Sequence, residues 1–282
     1  MCKLAVLITS YNRSELFRNT LRGWLEREEI DTLVIKADSS KRKEYERYKE
    51  VLEEIKHKTV IYEVSDKRSG SAAAKNRVLE MALQNDCKFM IYADDDHYVP
   101  EDSDIEGSLK MLLNRTVGIV GGKVVNVGNR AVDPDFFLDL IIADSLSRAL
   151  GYIFLDVKHG PRFAEFVPAF FMVKGEAIRD VRYDKYYDST NGFREESDFQ
   201  QGVKRAGYKI VFNPYFYVYH IPIEEGGNRE EKLSKRIYSK SKANTYFSFK
   251  WFSKYRAVWY VVVSSIILLL YSPTNMLEVM RG

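Results

Sequence analysis

The first hundred residues alternate two kinds of segment, and this alternation limits the fold more than any other feature of the chain. Lys3-Leu4-Ala5-Val6-Leu7-Ile8-Thr9 is a continuous apolar run. Runs of this length suit strands buried on both faces. Between residues 14 and 28, Leu16, Phe17, Leu21, Trp24 and Leu25 recur at helical spacing. A second strand is expected at 32–37. An amphipathic helix is expected at 41–58, with Tyr45, Tyr48, Val51, Leu52 and Ile55 inward. A third strand follows at 59–64. Gly70-Ser71 opens a helix carrying Ala72, Val78, Leu79 and Ala82, and Cys87-Lys88-Phe89-Met90-Ile91 reads as a fourth strand. The order β-α-β-α-β-α-β is the signature of a doubly wound, mostly parallel α/β sheet flanked by helices.

Ligands of such sheets bind beyond the carboxyl ends of the strands. The loops after strands one, two and four bring Asn12, Asp38 and the stretch Asp94-Asp95-Asp96-His97 to that one edge. Three adjacent acids repel one another, and nothing in the run neutralises them. A divalent cation such as Mn²⁺ or Mg²⁺ would, since hard cations take carboxylate oxygens and share them with phosphates. A solvated acidic turn is the competing reading. A calcium loop is excluded, because Val99 and Ile105 fall where Gly and Glu are required. The loop Thr9-Ser10-Tyr11-Asn12-Arg13 holds no glycine, which excludes a dinucleotide-binding turn there. Gly118-Ile119-Val120-Gly121-Gly122-Lys123 is read as a strand whose glycines permit close backbone approach. His97 reads as a solvated loop residue, and His57 and His159 as surface residues.

The second half is less regular. A helix is expected from Asp133 to about Leu150, and a strand over 165–174 with Pro168 at an edge or bulge. A short helix follows Gly175-Glu176. Arg194-Glu195-Glu196-Ser197-Asp198 leads into a helix that ends at Gly207, and two strands are expected at 208–212 and 215–220. Gly226-Gly227-Asn228 marks a link. The chain thus divides into a catalytic-sized unit at 1–225, a basic segment at 226–256 and a hydrophobic segment at 257–282.

The net charge of +3 conceals an asymmetry, because residues 232–256 hold eight basic residues and no acid. A local patch of this kind argues against a nucleic-acid binder and for one segment meeting a polyanionic surface. Residues 257–271 carry no charge, yet fall short of the roughly 20 residues a crossing needs. Trp251, Phe252, Tyr255, Trp259 and Tyr260 resemble an aromatic belt beside it. The expectation is a membrane-associated or single-pass chain on the cytoplasmic side of the cell membrane, with a buried C-terminal helix as the alternative. Cys2 and Cys87 are too few for a disulfide framework, which suits a reducing compartment. The N-terminus enters a strand without a signal peptide.

Thr9-Ser10-Tyr11-Asn12-Arg13, Asp38-Ser39-Ser40, Lys75-Asn76, Asp94-Asp95-Asp96, Tyr183-Asp184, Glu195-Glu196-Ser197-Asp198, Ala206-Gly207-Tyr208 and His220 occur in an informative order. Together they resemble glycosyltransferase family 2 and its GT-A fold over about residues 3–250. The resemblance implies an inverting transferase with a nucleotide-sugar donor, a divalent cation (Mn²⁺ or Mg²⁺) and a sugar, glycan or lipid-linked acceptor. It divides residues 1–225 into a nucleotide-binding half, 1–100, and an acceptor half, 101–225. It implies that Asp38 contacts the nucleoside, with Thr9 and Asn12 lining its pocket. Lys75 stands where the family commonly has Arg, so its contact would be a point charge instead of a planar fork. Asp94 and Asp96 match the pair that holds metal and ribose, His220 matches a histidine near the metal, and Asp95 and Asp198 join the donor-binding set. Glu195-Glu196 stands where the family has Glu-Asp. Glu196 is therefore expected to be the base, with Glu195 as the alternative. A nucleotidyltransferase and a non-catalytic binding module remain as competing readings; the first lacks a glycine-rich loop after strand one.

Overall fold

A computed structural model describes residues 2–56, 58–127, 143–151, 160–190, 192–221 and 233–270. The first half follows the expected alternation: β1 (Leu4–Tyr11), α1 (Ser14–Leu25), β2 (Thr32–Asp38), α2 (Arg42–Glu53), β3 (Thr59–Ser65), α3 (Ser71–Gln84) and β4 (Phe89–Asp94). The first four strands pair in parallel in the order β3-β2-β1-β4. Alternate residues of β1 serve opposite faces. Ala5 and Leu7 pack with Val78, Leu79 and Ala82 of α3, whereas Leu4, Val6 and Ile8 pack with Phe17, Leu21 and Trp24 of α1 and Tyr48 of α2. Both faces being covered is why the run is apolar without alternation. Each such side chain contributes roughly 1.5–3 kcal/mol on burial.

The second half builds outward from β4. It comprises β5 (His97–Tyr98), α4 (Ile105–Leu112), β6 (Val117–Asn126), α5 (Ala143–Leu150), β7 (Arg162–Phe163), β8 (Phe171–Lys174), α6 (Glu195–Arg205), β9 (Lys209–His220), α7 (Leu233–Trp251) and α8 (Lys254–Leu270). The short β8 lies antiparallel between β4 and β6, while β6 and β9 run parallel. The sheet is therefore mixed: its first four strands and the β6–β9 pair are parallel, and β8 is antiparallel to both its neighbours. Gly121 and Gly122 act as expected: a Cβ on Gly121 would lie 2.2 Å from the Cβ of Val167, and one on Gly122 2.4 Å from the Phe216 carbonyl. Gly207 has φ +98° just past α6, a conformation suited to a helix stop.

Several expectations change. The strand expected at 165–174 is confined to Phe171–Lys174; the preceding segment is irregular but buries Phe166, Val167 and Phe170. The two strands expected at 208–220 are one, Lys209–His220. Its register shifts so that Gly121 faces Phe212 and Lys123 faces Tyr217, which accommodates Pro214 without ending the strand. The helix at 41–58 stops at Glu53. Cys2 and Cys87, expected to be unpaired, are joined in a disulfide, because Leu4 and Phe89 are register partners and the residues just before them meet. Among the described residues no helix is long and apolar enough to cross a membrane. The expected helix start at Asp133, the glycine link at 226–228, His57 and His159 lie outside the described residues.

Candidate active site

A cavity of about 390 Å³ opens at the carboxyl ends of β1, β2 and β4. Thr9, Ser10 and Tyr11 reach it from the end of β1 and Arg13 from the loop after it, Asp38 from the end of β2, Asp94 from the end of β4, and Asp95 and Asp96 from the turn that follows. Lys75 of α3 and Glu195 and Glu196 of α6 form the facing wall. Most of the residues singled out in the sequence thus share one space.

The acidic wall is held from beneath. Asp95 is buried, accepts from Ser10 Oγ at 2.6 Å and pairs with Arg13 Nη1 at 3.0 Å. Burial pushes its carboxyl up to about 7; Arg13 opposes this and the neighbouring Asp96 adds to it. Asp96 pairs with Arg13 Nη1 at 3.5 Å and with His220 Nε2 at 3.3 Å. Burial acts to raise its carboxyl, but the hydrogen bond from His220 and the charges of His220 and Arg13 bring it below the usual range. Its Oδ1 is buried and has no hydrogen-bond partner. An orphaned carboxylate oxygen is costly unless something further binds it.

His97 departs from its expected role as a solvated loop residue. It is 2% exposed, lies opposite His220 in the β5–β9 pair, and packs edge-on against Phe170. Burial lowers its basicity, against the charges of Asp94 and Asp96. Its Nδ1 accepts the backbone N–H of Asp94 at 3.1 Å, which puts the ring proton on Nε2, 3.9 Å from Asp94 Oδ2. Ligand atoms of Asp94, Asp96 and His97 lie within 4.8 Å of one another. Two hard carboxylates, one with an orphaned oxygen, fit a divalent cation. His220 Nε2 lies 3.3 Å from Asp96 Oδ2, beside this group. Nothing local in the sequence separates His97 from a surface histidine; its burial follows from pairing with a strand far along the chain.

The facing wall carries its own cation. Lys75 Nζ donates to Glu195 Oε1 at 2.5 Å and also to Glu196 Oε1. Burial acts to lower the lysine's basicity, but the charges of Glu195, Glu196 and Asp94 lift it well above the ordinary value. Lys75 is therefore a buried, protonated residue and not a solvated helix lysine. Glu195 is 3% exposed and also accepts from Ser71 Oγ at 2.6 Å. Burial raises its carboxyl to about 7, against the pull of Lys75 and with the push of Glu196. The Glu196 side chain, 19% exposed, is the more open of the two carboxylates.

Three named residues are not in the cavity lining: Asn12, Asp198 and His220, the last of which meets Asp96 Oδ2 at 3.3 Å. The Asn12 side chain bridges to the β2 loop, accepting from Ser39 Oγ at 2.9 Å and donating to Ser40 Oγ at 2.9 Å, outside the cavity lining. Asp198 is buried behind α6, where it accepts from Trp251 Nε1 at 2.6 Å, Lys250 Nζ at 2.8 Å and Tyr187 Oη at 3.2 Å. It ties the α6 turn to α7 and does not face the cavity. Asp38 does line it, with one oxygen on Lys36 Nζ at 2.8 Å and the other on the Ser69 amide at 2.6 Å. Arg68, Phe193 and Lys240 complete the lining without having been singled out in the sequence.

The model of the glycosyl transferase family 2 domain matches residues 5–145, half of the chain. The chain belongs to glycosyl transferase family 2. It is accordingly a glycosyltransferase, and its mixed sheet has the GT-A fold. Solved structures of this fold include the mannosyltransferase PcManGT from Pyrobaculum calidifontis in complex with GDP-Man and Mn²⁺, with TM-score 0.60 and 14% identity, covering 96% of this chain and 75% of that one. S. aureus TarS 1–349 in complex with UDP-GlcNAc gives TM-score 0.60 and 12% identity over 88% of this chain and 66% of that one. A mycobacterial protein gives TM-score 0.55 and 13% identity over 89% of this chain and 75% of that one. No curated protein matches the sequence significantly.

Proposed function

We propose that this family member is an inverting, divalent-cation-dependent transferase that moves a sugar from a nucleotide-sugar donor to a hydroxyl of a sugar, glycan or lipid-linked acceptor. The observation that carries the reading is the placement of Asp94 and Asp96 on one wall of a single cavity, with His220 on Asp96 at 3.3 Å, opposite Glu196 on the other wall. The donors and the Mn²⁺ of the two solved relatives support it by fold. Asp38, Thr9 and Tyr11 lie where a nucleoside would sit, beyond β1 and β2. Asp94, Asp96 and His220 would hold the cation; when bound, Mn²⁺ or Mg²⁺ supplies positive charge to the departing diphosphate.

Inversion requires a base on the side of the sugar away from the leaving group. Glu196 takes that role, since it is the more open carboxylate and its partner Lys75 holds it in place. Glu195 sits deeper, and its hydrogen bonds to Ser71 and Lys75 fix the start of α6. Arg194, at φ +73°, turns the chain into α6 and donates to Asn244 Oδ1 of α7 at 2.9 Å, so α7 braces the turn that carries the base. The test is turnover with a panel of UDP-, GDP- and dTDP-sugars and a soluble hydroxyl acceptor, with the anomeric configuration of the product read by NMR. Inverted product is expected; retained configuration would contradict the mechanism.

A further inference from the structure

The last helix carries apolar side chains on two sides. On α8, Ala257, Tyr260, Val263 and Ser264 are buried against the domain. The outer side is a stripe at helical spacing: Tyr255 is 89% exposed, Trp259 52%, Ile266 50%, Val258 47% and Val262 46%. Polar contacts pin the helix to the domain as well. Trp259 Nε1 donates to the Ala149 carbonyl at 2.8 Å, and the Tyr260 hydroxyl to that of Arg148. Arg256 Nη2 lies 3.8 Å from Glu165, a carboxylate that Lys204 of α6 also pairs at 3.0 Å.

We propose that this stripe docks on an anionic phospholipid surface, with α8 lying in the plane of the interface. The assignment is independent of the catalytic mechanism. Three observations select this occupant. The described part of α8 has 17 residues and is about 26 Å long, short of a hydrocarbon core about 30 Å thick. Its inner side is held by the domain, which prevents it from standing across a bilayer. The segment leading into it supplies charge: residues 232–256 hold eight basic residues and no acid; Lys250 and Arg256 face acids of the domain and Lys240 the cavity, while the exposed Lys254 adjoins Tyr255 at the head of the stripe. A second copy docking through this face would bring two uniformly basic segments together, and like-charge juxtaposition is costly. Anionic headgroups complement the charge while their acyl boundary takes the stripe, and Tyr and Trp at its head are residue types favoured at that depth.

The experiment is co-sedimentation of the full chain with vesicles of phosphatidylcholine alone and of phosphatidylcholine with phosphatidylglycerol. Binding is expected to the anionic vesicles, and to fall about tenfold in Val258→Glu and Val262→Glu, both outside the cavity, with thermal unfolding near that of the parent. Tryptophan emission should shift to the blue on binding, and the shift should vanish in Trp259→Phe, which keeps the stripe. Equal sedimentation of the Glu variants, or no preference for anionic vesicles, would overturn the proposal. So would a dimer in analytical ultracentrifugation that Val262→Glu dissociates, since a second copy would then cover the face. Retention of the protein through an alkaline carbonate wash would overturn the in-plane geometry.

Discussion

The two walls of the cavity are both acidic, but they balance their charge in different ways. The β4 wall sets Asp94, Asp95 and Asp96 against the single guanidinium of Arg13, and leaves Asp96 Oδ1 buried without a hydrogen bond. The α3–α6 wall sets Glu195 and Glu196 against Lys75, which touches both. The second wall also leaves one buried oxygen, Glu195 Oε2, without a hydrogen bond, but there one ammonium meets both carboxylates, whereas Arg13 meets only two of the three acids of the first. On the proposed function, the first wall would bind the cation and the second would hold the base in position.

The largest expected effect breaks the second wall. Glu196→Gln should lower kcat by about 1000-fold, within the range of general-base loss, while nucleotide affinity stays within about twofold. If Glu195→Gln has the larger effect on kcat, the two carboxylates have exchanged roles. Lys75→Met removes that wall's own cation and strands two carboxylates; it should cost about 3–5 kcal/mol in denaturant unfolding, with no rescue by Mn²⁺. On the first wall, Asp96→Asn should weaken Mn²⁺ binding by more than the about 100-fold typical of losing an outer-sphere partner, measured by calorimetry. Unchanged affinity would move the ion away from Asp96.

Smaller effects sharpen the contrast. Lys250→Met leaves Asp198 buried with Trp251 and Tyr187 alone, and should cost about 1–3 kcal/mol. It should also lower kcat more than nucleotide affinity, because α7 braces α6 and not the β4 wall. The smallest is a pH effect. Glu195 titrates at about 7 in the folded chain, against 4.5 for an ordinary glutamate. Between those values the folded chain keeps a proton that the unfolded chain has lost, so Glu195 makes stability decline as pH rises across that window. Glu195→Gln should flatten this dependence in thermal unfolding followed across the same window.

The parallel half was legible in the sequence because each strand there is buried on both faces. A continuous apolar run as short as Leu4 to Ile8, bounded by polar loops, fits a strand covered on both sides, and the loops at the carboxyl ends of such strands had to converge. Thr9, Asp38 and the acidic stretch follow from that convergence. The second half depended on contacts remote in sequence. Two strands are expected at 208–212 and 215–220, yet β9 runs through Pro214 by a register shift against β6. His97 looked exposed, yet it is covered by its pairing with His220. Asp198 and Glu196 look alike at the start of one helix, but the helical turn sends one toward Lys250 and Trp251 and the other into the cavity. Spacing alone cannot make that distinction until the neighbouring helix α7 is in place.

The measurement that bears most directly on the two-wall account is calorimetric titration of UDP, GDP and dTDP into the protein with and without Mn²⁺. The account predicts that at least one of them binds in a Mn²⁺-dependent way, that Asp96→Asn abolishes the dependence, and that Glu196→Gln preserves it. Nucleotide binding of equal strength with and without Mn²⁺ in the parent protein, or loss of the metal dependence in Glu196→Gln, would contradict it.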